Sequence, residues 1–146
     1  KCNANGILMW VKTFGGTLDV EALWVSTNAM NEVIITRFFR GTVNFDPSVT
    51  NQNVRSNNNS TDVFLTKLDS NGTFIWNKTF GSSSNLDVGR EVSDNKNDNI
   101  VFTGTYGGTI DFDPSAAVFN LYNNYQEDSF ISKLVNQGNL VKTKVR

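Results

Sequence analysis

The chain has 146 residues, a formal net charge of −1 and a sequence pI of about 5.3, so it carries no overall basic footprint for nucleic acid. Histidine is absent and Cys2 is the one cysteine, which excludes an internal disulfide, Ser-His-Asp or Cys-His catalysis, and histidine metal sites. No apolar run approaches the roughly 20 residues that a bilayer-spanning helix needs, so no membrane insertion of that kind is expected.

From the N-terminus, Gly6-Ile7-Leu8-Met9-Trp10-Val11-Lys12-Thr13-Phe14-Gly15 returns 66 positions later as Gly72-Thr73-Phe74-Ile75-Trp76-Asn77-Lys78-Thr79-Phe80-Gly81. Gly138-Asn139-Leu140 begins the pattern a third time. A fixed period of this kind marks an array of like units. Leu18-Asp19-Val20 returns as Leu86-Asp87-Val88, and a first strand is expected around Trp24-Val25-Ser26 and again around Glu91-Val92-Ser93. Val33-Ile34-Ile35-Thr36 matches Ile100-Val101-Phe102-Thr103, which places a second strand there, extending over 100–106 in the later unit. Gly41-Thr42-Val43-Asn44-Phe45-Asp46-Pro47-Ser48 returns as Gly108-Thr109-Ile110-Asp111-Phe112-Asp113-Pro114-Ser115. The polar, Asn-rich stretches 46–61 and 113–127 that follow predict a long loop or an extra hairpin.

Asp62-Val63-Phe64-Leu65-Thr66-Lys67-Leu68 returns as Asp128-Ser129-Phe130-Ile131-Ser132-Lys133-Leu134, the expected third strand. The turn Asp69-Ser70-Asn71-Gly72 then leads to a fourth strand over 74–80. In that strand Phe74, Trp76 and Phe80 alternate with Thr73, Asn77 and Thr79, and Leu8, Trp10 and Phe14 repeat the pattern. Period-two alternation gathers the aromatics on one face. Four short antiparallel strands per ~66-residue unit predict an all-β chain of β-propeller blades. The expected division is 1–15 as the end of a preceding blade, 16–81 as one blade, and 82–146 as a second with the start of the next. Two units cannot close a ring of four to eight blades. The chain is therefore expected to be part of a longer one, or to assemble with neighbouring copies. In the third copy Lys142 and Arg146 stand where Trp76 and Phe80 stood.

The residues Asp62 to Gly72 with Trp76 and Gly81, and again Asp128 to Leu134 with Gly138, resemble the bacterial SBBP-type β-propeller repeat. Asn99 to Gly104 and Gly108 to Pro114 are similar to its later segments, so the likeness covers essentially the whole chain. The first copy departs where Arg37-Phe38-Phe39-Arg40 replaces Gly104-Thr105-Tyr106-Gly107. The resemblance implies a secreted or cell-surface protein with a binding role, and brings no catalytic residues.

Among candidate site residues, Asp46 and Asp113 precede proline, where a carboxylate ordinarily caps turn N–H groups. Calcium ligation by Asp46 and Asp113, helped by Asp111, is the sharper alternative; the first copy has Asn44 in place of Asp111. The stretch 94–99 has a lysine at a ligand position and is no EF-hand loop. Asp19, Asp87 and Glu91 invite comparison with a glycosidase pair, but Asp19 and Asp87 are repeat equivalents and fit a shared turn better. Trp10 and Trp76 are expected in the core between blades, whereas Trp24 has Glu91 as its equivalent and stands out. Lys67 and Lys133 are expected on a solvated strand face or paired with Asp62 and Asp128. Asn58, Asn59 and Asn71 would be glycan acceptors in a eukaryotic secretory pathway, and Asn77 a poor one. The expected function is a non-catalytic, extracellular or cell-surface module with a structural or protein-binding role. Its partners would be other blades of the same longer chain, neighbouring copies and a protein ligand. No cofactor is expected, with calcium the one alternative. Rival functions are a carbohydrate- or calcium-binding module and the propeller portion of a larger enzyme.

Overall fold

The computed structural model describes residues 1–46, 48, 54–57, 60–83, 87–94, 99–123 and 126–145. The described residues form strands and no helix. One four-stranded antiparallel sheet contains β2 (Val20–Thr27), β3 (Val33–Phe39), β6 (Asp62–Leu68) and β7 (Phe74–Phe80), in that spatial order. The second contains β8 (Val88–Asp94), β9 (Asn99–Tyr106), β12 (Asp128–Val135) and β13 (Leu140–Val145), again in chain order.

The two sheets match residue for residue. Arg37 lies opposite Phe64 in the first, and Gly104 opposite Phe130 in the second. Even the irregularities recur: a register shift falls between Ala22 and Trp24 and again between Gly89 and Glu91. Another falls between Lys67 and Leu68 and again between Lys133 and Leu134. The departure at Arg37 does not disturb the pairing. Its guanidinium lies 2.9 Å from Glu21 Oε2 and 5.7 Å from the Phe38 ring centre.

Each unit adds an extra hairpin between the second and third strands of its sheet. β4 (Thr42–Asn44) pairs with β5 (Val54–Ser56) and with β1 (Gly15–Gly16), while β10 (Thr109–Asp111) pairs with β11 (Asn120–Tyr122). Each hairpin drops one phenylalanine onto the face of its own sheet. Phe45 packs against Phe39 and Phe64 with ring centres 5.2 and 4.9 Å apart. Phe112 packs against Tyr106 and Phe130 at 5.6 and 4.7 Å. The final strand position of the preceding unit completes each cluster, with Phe14 6.3 Å from Phe45 and Phe80 6.1 Å from Phe112.

The main core lies between the sheets. Ile34, Val63, Leu65 and Phe80 of the first meet Val92, Ile100, Phe102, Phe130 and Leu134 of the second. The N-terminal stretch departs from expectation. Residues 8–14 carry the fourth-strand pattern, yet they form no strand, only an isolated bridge between Cys2 and Leu8 with backbone bonds from Met9 and Trp10 to Lys1 O. A strand needs a neighbour to satisfy its backbone groups, and no described strand lies alongside. Ile7, Leu8, Met9 and Val11 are correspondingly exposed.

Candidate functional site

The junction between repeats holds the most unusual chemistry in the molecule. It begins with a turn written three times. Gly6, Gly72 and Gly138 have φ of +75°, +79° and +80°, a conformation that glycine adopts without penalty. Each donates its N–H three residues back, to Asn3, Asp69 and Val135 respectively. A tryptophan of the preceding unit closes over this turn. Trp10 Nε1 donates to Ser70 O and Trp76 Nε1 to Asn136 O, both at 3.0 Å and both across 60 residues. A side chain on either glycine would strike the facing tryptophan and lysine: Cβ at Gly72 would lie 3.0 Å from Trp10 and 2.9 Å from Lys12. At Gly138 it would lie 3.3 Å from Trp76 and 2.8 Å from Lys78. Trp10 and Trp76 thus act between units, as the alternation predicts.

Lys67 corrects the sequence expectation. It is neither solvated nor paired with Asp62. Its side chain is 1% exposed, and its Nζ lies 2.9 Å from Glu32 Oε2 and 3.2 Å from Asp94 Oδ2. Asn136 Oδ1 is a further acceptor. Asp62 and Lys67 differ in parity along β6, so they point to opposite faces. Lys67 shares its face with Leu65 and Trp76, which lies directly opposite in register. Asp94 comes from the second sheet and is held there by its N–H on Ser26 Oγ at 3.1 Å. Its other carboxylate oxygen is buried without a partner. The Lys67 contact lowers the pKa of Glu32 against the opposing effect of burial. Lys1, one period earlier, reaches the next turn in the same manner, donating to Asn31 O and Ser70 O at 3.1 and 3.2 Å.

A second polar cluster lies near the hairpin bases. Asp87 is fully buried and accepts from Ser82 N, Ser82 Oγ and Gly107 N at 2.6, 2.8 and 3.0 Å. Burial raises its pKa against these bonds. Asp62 is pushed up to about 6, chiefly by burial and further by the charge of Asp87, while its bond from Ser60 Oγ opposes the shift. Asp19 is exposed and accepts Arg40 N on its backbone oxygen, the place equivalent to Gly107 N. Asp19 and Asp87 therefore serve one recurring turn, and Glu91 lies apart on β8 with an exposed side chain.

The calcium candidates are engaged locally. Asp46 Oδ1 accepts Ser48 N and Asp113 Oδ1 accepts Ser115 N, each at 2.9 Å. Asp111 Oδ1 accepts both Asp113 N and Phe119 N. The bonds from Ser115 hold the Asp113 carboxyl below its ordinary pKa. The glycosylation candidates Asn58 and Asn59 lie outside the described residues. Asn71 is exposed on its turn, and Asn77 is buried with its Nδ2 on Thr66 Oγ1 at 2.9 Å. Trp24 is 45% exposed on the edge strand β2, between the exposed Leu23 and Val25. The buried ion cluster at Lys67 was missed in the sequence, although the lysine's parity with Leu65 along the strand carried part of the signal. No protein-family model, curated protein or solved structure matches this chain.

Proposed function

We propose that the chain is a run of propeller-type blades, of the kind its SBBP resemblance suggests, serving as a non-catalytic structural and protein-binding module at the cell surface. The observation that carries this reading is the junction repeated at a 66-residue period. A tryptophan of one unit caps the glycine turn of the next, and a lysine of one unit reaches across to the next. A unit that buries its face on its neighbour in this way extends by addition, and leaves its hairpins free to vary. Those hairpins, around β4–β5 and β10–β11, are the presenting surface. Placement outside the cell rests on the resemblance. The structural engagement of Asp46, Asp87, Asp111 and Asp113 supports a scaffold rather than a hydrolase.

The test is a chain extended by further copies in the same 66-residue register, solved at high resolution. Sheets radiating about a common axis support the proposal; separate sandwiches or a straight stack overturn it. For binding, the hairpin segments 42–56 and 109–122 are replaced by short turns, and capture of a surface-protein partner is compared. Capture unaffected by both replacements removes the hairpins from the function.

A further inference from the structure

The joint between the two units contains hydrogen bonds that cannot all form while its carboxyls are charged. Ser60 Oγ lies 3.2 Å from Asp62 Oδ1 and 3.1 Å from Ser82 O. Ser82 Oγ lies 2.8 Å from Asp87 Oδ2 and 2.7 Å from Gly107 O. Each hydroxyl thus stands between one carboxyl oxygen and one backbone carbonyl. A hydroxyl has one proton to donate, whereas an ionised carboxylate and a carbonyl only accept. With Asp62 and Asp87 ionised, each hydroxyl serves one of these neighbours and not the other. With both carboxyls protonated, every contact closes. Asp62 then donates to Ser60 Oγ, which donates to Ser82 O, and Asp87 donates to Ser82 Oγ, which donates to Gly107 O.

These groups come from different parts of the fold. Ser60 and Asp62 lie where the first hairpin leads into β6, Ser82 and Asp87 in the link between the sheets, and Gly107 just beyond β9. The link is pressed against the first sheet here, since a Cβ on Gly81 would lie 2.1 Å from the Asp62 carboxyl carbon. Asp62 is faced by Phe39 from β3, by Gly81 beyond β7, and by Ser60 and Asn57 from the first hairpin, and the charge that acts on it is Asp87. Asp87 is faced by Ser82 and by Gly107, whose N–H donates to Asp87 Oδ1 at 3.0 Å. Among the described residues no cation pairs with either carboxyl. Ser60, Asp87 and Gly107 are buried, where an acceptor left unpaired is costly. Burial also raises the pKa of both carboxyls, that of Asp62 to about 6, within reach of mildly acidic surroundings. The first joint is built differently: Asp19, the equivalent of Asp87, is exposed and lies 3.8 Å from Arg40.

We infer that the joint between the sheets is an acid-tightened clasp, in which protonated Asp62 and Asp87 turn the Ser60 and Ser82 hydroxyls onto Ser82 O and Gly107 O and so tie the first unit, the link and the second unit together. Ionisation turns the hydroxyls back onto the carboxylates and releases both carbonyls. The clasp goes beyond the blade reading and requires no closed ring. The experiment follows the carboxyl and carbonyl carbon resonances of the whole chain by NMR from about pH 4 to pH 8. The Asp62 carboxyl titrates with a midpoint of about 6, and the Ser82 carbonyl moves at the same midpoint. The Gly107 carbonyl moves with the Asp87 carboxyl. Ser60→Ala abolishes the Ser82 step while Asp62 still titrates, and Ser82→Ala abolishes the Gly107 step. Asp62→Asn, whose amide donates to Ser60 Oγ at every pH, holds the Ser82 carbonyl at its acid position. Carbonyls that do not move with their carboxyls, or a Ser82 step undiminished in Ser60→Ala or in Asp62→Asn, overturn the inference.

Discussion

Replacing Lys67 with methionine tests whether the buried ion cluster couples the two sheets. Methionine keeps an unbranched apolar stem of similar reach, so the packing change is small. The charge change is not. Glu32 and Asp94 lose their shared cation, and the Asp94 side chain is only 1% exposed. Removing one member of a buried ion pair costs about 3–5 kcal/mol, because a charge is left without compensation. For a chain of this size, each kcal/mol shifts the thermal midpoint by roughly 2–4 °C, so Lys67→Met melts about 6–20 °C below the parent. The assay is thermal unfolding by circular dichroism with urea titrations alongside. Adding Glu32→Gln and Asp94→Asn to Lys67→Met removes the stranded charges and recovers much of the loss. The cost of Lys67→Met also shrinks at acid pH, as the Glu32 carboxylate, whose pKa the Lys67 contact holds down, takes up a proton. A single variant within ~1 kcal/mol of the parent, or a triple variant no more stable than the single one, refutes the reasoning.

Asp62 gives a pH signature of opposite sign to the usual carboxylate. Its folded pKa of about 6 lies above the ordinary 3.8, so the folded chain holds that proton more tightly than the unfolded one. Its contribution to stability is greatest below about pH 4, declines as pH rises towards 6, and stays low above. Asp62→Asn removes this decline and is more stable than the parent at pH 8 by about 1–2 kcal/mol, after allowance for solvent screening. Comparing the two melting curves from pH 4 to pH 8 checks it, and a difference independent of pH contradicts it. Gly138→Ala forces a Cβ into the left-handed region and against Lys78 and Trp76; a loss of at least ~1–2 kcal/mol in urea unfolding is expected. Tyr106→Phe deletes a buried hydroxyl without a partner and installs the residue type that the first copy has at Phe39. It is neutral or stabilising by up to about 1–2 kcal/mol in the same assay.

The strand order was legible because the repeat announces its strands twice, and each copy corrects the boundaries of the other. The hairpins were half legible: Gly41 and Gly108 begin them, but the pairing of β1 with β4 depends on Gly16, whose Cβ would lie 2.0 Å from Thr42 O. No local pattern reports such a close approach. The fourth-strand motif at 8–14 misled for a related reason: an alternating pattern states which face is apolar, not whether a neighbouring strand is present. Asp94 resembled a turn residue by its Asn-rich surroundings, and only the facing sheet shows it as the counter-ion of Lys67.

The two copies also show where a repeat stops being a repeat. On the inner faces apolar bulk recurs, with Gly104 for Arg37 the exception: Phe39 becomes Tyr106, Ile35 becomes Phe102, and Phe45 and Phe64 recur as Phe112 and Phe130. On the outer face several large apolar residues give way, with Glu91 for Trp24, Thr105 for Phe38, Ser129 for Val63 and Lys142 for Trp76, while Val101 and Ile131 keep the aliphatic character of Ile34 and Leu65. A net charge of −1 conceals this, since the chain's cations are not spread evenly but include three on one patch of sheet.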